Sequence, residues 1–138
     1  MTAGREVLRE VVAKAARDPL RYHDLTLTYE RGHDLSGTTR IELRADGGYT
    51  LATQDRYGER AESQGTLDAE QREAVLSAVE GGLLDVPSST RNLGDDEQPI
   101  LVGLRYDDSE HRLRIWAGDA DANPDFQRFE STLRAAVH

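Results

Sequence analysis

The chain has 138 residues with 26 acidic and 17 basic side chains, a net charge of −9 at pH 7, and a mean hydropathy of −0.67 at 37% hydrophobic residues. That length suits a single domain, 1–138, with a real core under a very polar surface, and the acidic balance argues against nucleic acid or anionic lipid as a partner. The absence of cysteine excludes a disulfide framework, a thiolate nucleophile and Cys-ligated zinc, and with no apolar run of membrane length and no signal-peptide core the expected location is the cytoplasm.

The first element is a helix over 1–18, expected at the periphery of the domain. Val7, Leu8, Val11, Val12 and Ala15 form one apolar stripe. Pro19 ends the helix, because the residue before a proline disfavours helical backbone. The stripe reads as a packing face on a sheet or on a dimer partner. Strands follow at 24–30 (Leu25, Leu27 and Tyr29 alternating with threonines) and 38–45 (Thr39, Ile41 and Leu43 opposite Arg40, Glu42 and Arg44). Asp46-Gly47-Gly48 is a tight-turn signal leading into a strand around Tyr49, Leu51 and Thr53. A weaker strand over 60–67 is expected at a sheet edge, where its charge would deter pairing with other chains.

Asp68, with Gln71 three residues on, opens a helix as a capping box, and Val75, Leu76, Val79 and Leu83 mark its buried side. Residues 88–98 form a long polar loop, acidic at Asp95, Asp96 and Glu97, and read as a mobile segment. Residues 99–118 alternate with period two on both sides of Asp107-Asp108-Ser109-Glu110, as an antiparallel hairpin does. Asn123-Pro124 starts the last helix, with Phe126, Phe129, Leu133 and Val137 as its apolar stripe. The order α-β-β-β-β-α-β-β-α predicts an α+β fold in which an antiparallel sheet of about six strands is covered by helices.

Three constellations carry chemistry. Asp119, Asp121, Asn123, Asp125 and Glu130 match positions 1, 3, 5, 7 and 12 of a calcium loop. Pro124 stands where that loop needs glycine, so the segment reads first as a polar connection into a capped helix, with a calcium site as the alternative. His33 and Asp34, with Asp24, suggest an acid–base pair on loops. However, the four histidines, His23, His33, His111 and His138, share no metal-ligand spacing and read as solvated. Arg40, Arg44, Arg112, Arg114 and Trp116 fall on one side of their strands as a candidate binding platform. Against it, Trp116 would pack under the N-terminal helix or a subunit partner and the arginines would pair with Glu42 and other acids. No serine elbow, zinc-protease helix motif or phosphate-cradling glycine loop is present, so no catalytic residue and no cofactor are assigned.

YERGHDLSGTTRIELRADGGYT, GTLDAEQREAVLSAVEGGLLDVPS, ILVGLRYDDSEHRLRIW and NPDFQRFESTLRAAV follow one another in this chain. In element order over 24–137 this resembles the emfourin-type inhibitors of thermolysin-like metalloproteases and related bacterial α+β domains. Where that family carries Gly-Gly-Phe after its first strand, this chain has Gly32-His33-Asp34. The resemblance implies a non-enzymatic binding or regulatory domain with a protein partner. Its contact surfaces would be the 31–37 loop (Arg31, His33, Asp34) and the 88–98 loop (Asp95, Asp96, Glu97), with Trp116 nearby. The alternative function is an assembly module that forms a homodimer through the N-terminal helix or a sheet edge.

Overall fold

The computed structural model describes residues 3–33, 37–95 and 97–137. Six strands, β1 (Thr26–His33), β2 (Gly37–Arg44), β3 (Gly48–Gln54), β4 (Arg60–Thr66), β5 (Pro99–Tyr106) and β6 (Ser109–Trp116), form one antiparallel sheet in the order β4-β3-β2-β1-β5-β6. Four helices, α1 (Ala3–Arg17), α2 (Ala69–Gly81), α3 (Ala117–Asp121) and α4 (Pro124–Ala136), complete the expected α+β fold.

Alternation decides which face is covered. Leu25, Leu27 and Tyr29 of the β1 segment, Ile41 and Leu43 of β2, Ile100, Val102 and Leu104 of β5, and Leu113 and Ile115 of β6 are buried, because the register sets these positions side by side on one face. The other face carries Thr28, Arg40, Glu42, Leu101, Gly103 and Arg112, and no helix among the described residues covers it. Turn chemistry holds the hairpins in place. At the β2–β3 turn Gly47 takes φ of 98°, a conformation a side chain would strain, and Asp46 accepts the Gly48 N–H.

Helix α1 is not peripheral. Leu8, Val12 and Ala15 are fully buried, the helix lies against β5, β6 and α2, and Arg9 forms an ion pair with Asp85 at 2.6 Å. Helix α2 starts on the capping box, with Asp68 accepting the Gln71 N–H and Gln71 accepting the Asp68 N–H. Helix α4 starts on Asn123, whose Oδ1 accepts the Phe126 N–H, with Pro124 in the first turn. The short turns 83–85 and 117–121 escape a periodicity reading because each is too short to show one. No described helix is long and apolar enough to cross a membrane.

Candidate functional site

The two loops singled out in the sequence emerge at the same end of the sheet. Strands β1 and β3 end there and β2 and β4 begin there, so Gly37 lies beside the start of the 55–59 turn. Strand β5 starts at that end, which places the close of the 88–98 loop beside them, and the Arg31 Nε–H donates to Gln98 Oε1 at 2.8 Å across the junction. The result is a rim made by the ends of β1 and β2, the 55–59 turn and the close of the 88–98 loop, an arrangement suited to binding.

The described residues of the 88–98 loop, expected to be mobile, are hydrogen-bonded at both ends of the segment. Its first part runs along β6: the Ser89 N–H donates to the Arg114 carbonyl at 2.8 Å, and Ser88 and Ser89 hydroxyls accept the Arg114 and Trp116 N–H groups. Its second part closes on Glu97. That carboxylate accepts two bonds from the Arg91 guanidinium, at 2.8 and 2.6 Å, and one each from the Gly94 and Gly118 N–H groups at 2.8 Å. Four donors on two oxygens hold the Glu97 pKa down to about 2, with Arg91 the largest cause. Arg91 also reaches Asp119, which accepts the Ser89 hydroxyl at 2.6 Å. Glu97 is therefore a latch facing inward, 14% exposed, and not the free acidic contact its composition suggested. Asp95 is exposed on the same segment, and Asp96 lies outside the described residues.

The rim rests on a buried polar anchor. Glu130, on α4, accepts the Tyr29 hydroxyl at 2.6 Å and two contacts from the Arg31 Nη1 at 2.9 and 2.8 Å. Burial, then Glu130, pushes the Tyr29 phenol far above its usual range, so it stays a donor. Arg31 thus ties α4 to β1 and to the end of the loop at Gln98, and it is mostly buried. Beside it a cleft of about 370 Å³ opens, lined by Arg31, Gln54, Asp55, Glu59, Arg60 and Arg134.

Among the exposed polar residues of the rim, two large apolar side chains stand out. Tyr57, at the tip of the 55–59 turn, is 77% exposed, and Leu93 on the latched loop is 41% exposed. The turn under Tyr57 is also fixed, because Asp55 Oδ1 accepts the N–H groups of Tyr57 and Glu59 at 2.8 and 3.0 Å. The sequence reading missed both side chains. A lone tyrosine or leucine in a polar turn has no period to expose it, and the Asp-x-Tyr-x-Glu turn was the available signal.

The remaining sequence-named residues are dispersed. The candidate calcium ligands do not converge. Asp119 sits on α3 and binds Ser89 and Arg91, Asp121 contacts Gln127, and Asn123 caps α4. Asp125 is exposed beside Gly82, and Glu130 turns into the sheet. Helical backbone at 117–121 is the reason, since residues two apart on a helix point about 200° apart. Among the described residues no group of three His, Asp or Glu side chains gathers to hold a metal.

His33 ends β1 and Asp34 lies outside the described residues, whereas Asp24 precedes the opposite end of the strand, beside His23 at 3.1 Å. His111 is half-buried on the covered face of β6 and is not a solvated histidine. Arg40, Arg44, Arg112 and Arg114 do share the uncovered face. Arg112 pairs with Glu110 and Arg44 with Asp46, not with Glu42. Trp116 packs beneath the 88–98 loop, not under α1. It is 9% exposed, its indole N–H donates to the Arg91 carbonyl at 2.8 Å, and Arg114 lies 5.4 Å from its ring centre.

The fold class is that of an antiparallel sheet layered on helices, and one fold of this kind serves many functions. Neither a family model nor a curated protein matches the sequence. The functional reading therefore rests on the rim.

Proposed function

We propose that this chain is a non-enzymatic, protein-binding domain of the cytoplasm whose rim docks into a cleft of a partner protein, and that the partner is a thermolysin-like metalloprotease which it inhibits. One observation carries the reading: Tyr57 and Leu93 project from connections already locked by their own hydrogen bonds at Asp55 and Glu97. A side chain on a preset loop loses little conformational freedom on docking, so more of its contact energy appears as affinity. Aromatic anchors of this kind dominate binding energetics. Asp95, exposed next to Leu93, supplies the carboxylate that a metal-bearing cleft would attract.

The test is inhibition of a thermolysin-type protease by the full chain, with Tyr57→Ala and Leu93→Ala combined. Inhibition that weakens by at least about tenfold in the double variant, with an unchanged urea midpoint, supports the rim. Absence of inhibition at micromolar chain sinks the protease assignment, and equal inhibition by the double variant sinks the rim. For the assembly reading a sheet edge is the better surface than α1, since Leu8, Val11, Val12 and Ala15 of its stripe are in the core and only Val7 is exposed.

A further inference from the structure

The two edges of the sheet are treated differently. The outer edge of β6 is covered over its last residues, where Ser88 and Ser89 satisfy the backbone groups of Arg114 and the Trp116 N–H. The outer edge of β4 is bare. The strand is seven residues long, straight in register with β3, and exposed at every residue except Gly65. It contains no proline, no lysine and no bulge, and of the devices that blunt an edge it carries only the charges of Arg60 and Glu62.

The register states which backbone groups are free. The Leu67 N–H donates to the Gly47 carbonyl and the Asp55 N–H to the Glu59 carbonyl. Antiparallel bonding alternates along a strand, so odd-numbered residues of β4 bond inward to β3. Arg60, Glu62, Gln64 and Thr66 therefore turn their N–H and C=O groups outward, and no described residue bonds to them.

We propose that a second copy of this chain occupies this edge, β4 pairing antiparallel with β4 of its partner about a two-fold axis at Ser63, to give one continuous sheet across the dimer. This register overlaps the whole strand and is the one argued from the side chains. Arg60 meets Thr66, Glu62 meets Gln64, Ala61 meets Gly65, and Ser63 meets itself. No like charges stand directly opposite, and each Glu62 carboxylate faces an amide donor. Shifting the axis to Glu62 would set two carboxylates against each other. The charge on β4, which from sequence would deter pairing, thus selects one register. On the other side of the sheet the facing residues Ala61, Ser63 and Gly65 are small, so the two copies meet without a protruding side chain.

The cysteine-free chain makes the test sharp. Ser63 faces Ser63 of the other copy as a non-hydrogen-bonded pair, with Cα atoms about 4.5 Å apart, inside the range of a disulfide. Ala61 lies four residues from the position opposite it, so two Ala61 residues are about 13 Å apart, beyond that range. Under mild oxidation Ser63→Cys is expected to form a covalent dimer at least about tenfold faster than Ala61→Cys. Sedimentation of the unsubstituted chain is expected to show a concentration-dependent dimer. Ser63→Lys, which sets like charges on the axis, should weaken it at least about tenfold. A chain monomeric at all concentrations overturns the proposal, whether or not it binds another protein. So does a dimer unaffected by Ser63→Lys, or equal cross-linking of the two cysteine variants. Retained thermal unfolding of each variant shows that the comparison is between folded chains. Protease inhibition by a monomer would leave the rim standing and remove only the dimer.

Discussion

Replacing Glu130 with alanine removes the acceptor of the buried Tyr29 hydroxyl and the carboxylate facing Arg31. An orphaned buried hydroxyl costs about 1–3 kcal/mol. Breaking a buried ion pair by deleting one partner costs about 3–5 kcal/mol when the remaining charge is sealed in. The Arg31 side chain is 19% exposed and keeps Gln98, so water and that amide screen part of its loss. The two effects overlap, and the expected cost is about 3–4 kcal/mol. Glu130→Gln keeps an oxygen for Tyr29 and loses only the charge, so about 1–2 kcal/mol is expected. Urea unfolding followed by Trp116 fluorescence checks both. At a slope of about 1.5–2 kcal/mol per molar, Glu130→Ala lowers the midpoint by about 2 M. A midpoint lowered by less than about 0.5 M, or equal shifts for alanine and glutamine, would refute the view that Tyr29 and Arg31 depend on this carboxylate.

Glu97 is depressed to about 2, so its proton is held less tightly in the folded state than in the unfolded chain. Its stabilising effect is complete above the ordinary carboxylate range and is lost as pH falls toward 2. Trp116 emission should therefore shift red only in strong acid, whereas Glu97→Gln shifts it at neutral pH; wild-type emission in that variant would contradict the latch. Burial, with Arg5 nearby, lowers the His111 pKa. The native state then binds fewer protons than the unfolded chain, and stability falls as pH drops below about 6.5. A proton NMR titration placing His111 at or above that value would contradict its burial. Gly32 has φ of 126°, and a Cβ there would lie 2.0 Å from the Gly37 carbonyl oxygen. Gly32→Ala is expected to cost more than about 1 kcal/mol in urea unfolding, and an unchanged midpoint would show that the loop relaxes freely.

The sheet was legible because its central strands have one greasy and one wet side. Ile100, Val102 and Leu104 alternate with Leu101, Gly103 and Arg105, and only a half-covered strand writes that pattern. Strand β4 wrote it faintly because neither of its faces is deeply covered. The site was less legible. Tyr29 and Glu130 are 101 positions apart, and Arg91 finds Asp119 across 28. Nothing local marks such pairs. The acids of the 88–98 loop looked like solvated charge because composition does not show that Glu97 faces two backbone N–H groups and a guanidinium. The alternating oxygens at 119–125 left a calcium site open beside the capped-helix reading because spacing alone does not show that a helical turn splays them.

The Glu97 closure does for this chain what a disulfide does for many small secreted domains: it joins the ends of a loop and fixes a third segment to them. Being made of charge and hydrogen bonds, it is indifferent to reductants and oxidants and yields instead to acid. A protein built this way keeps these loops shaped in any redox setting, and strong acid is the stress that opens them.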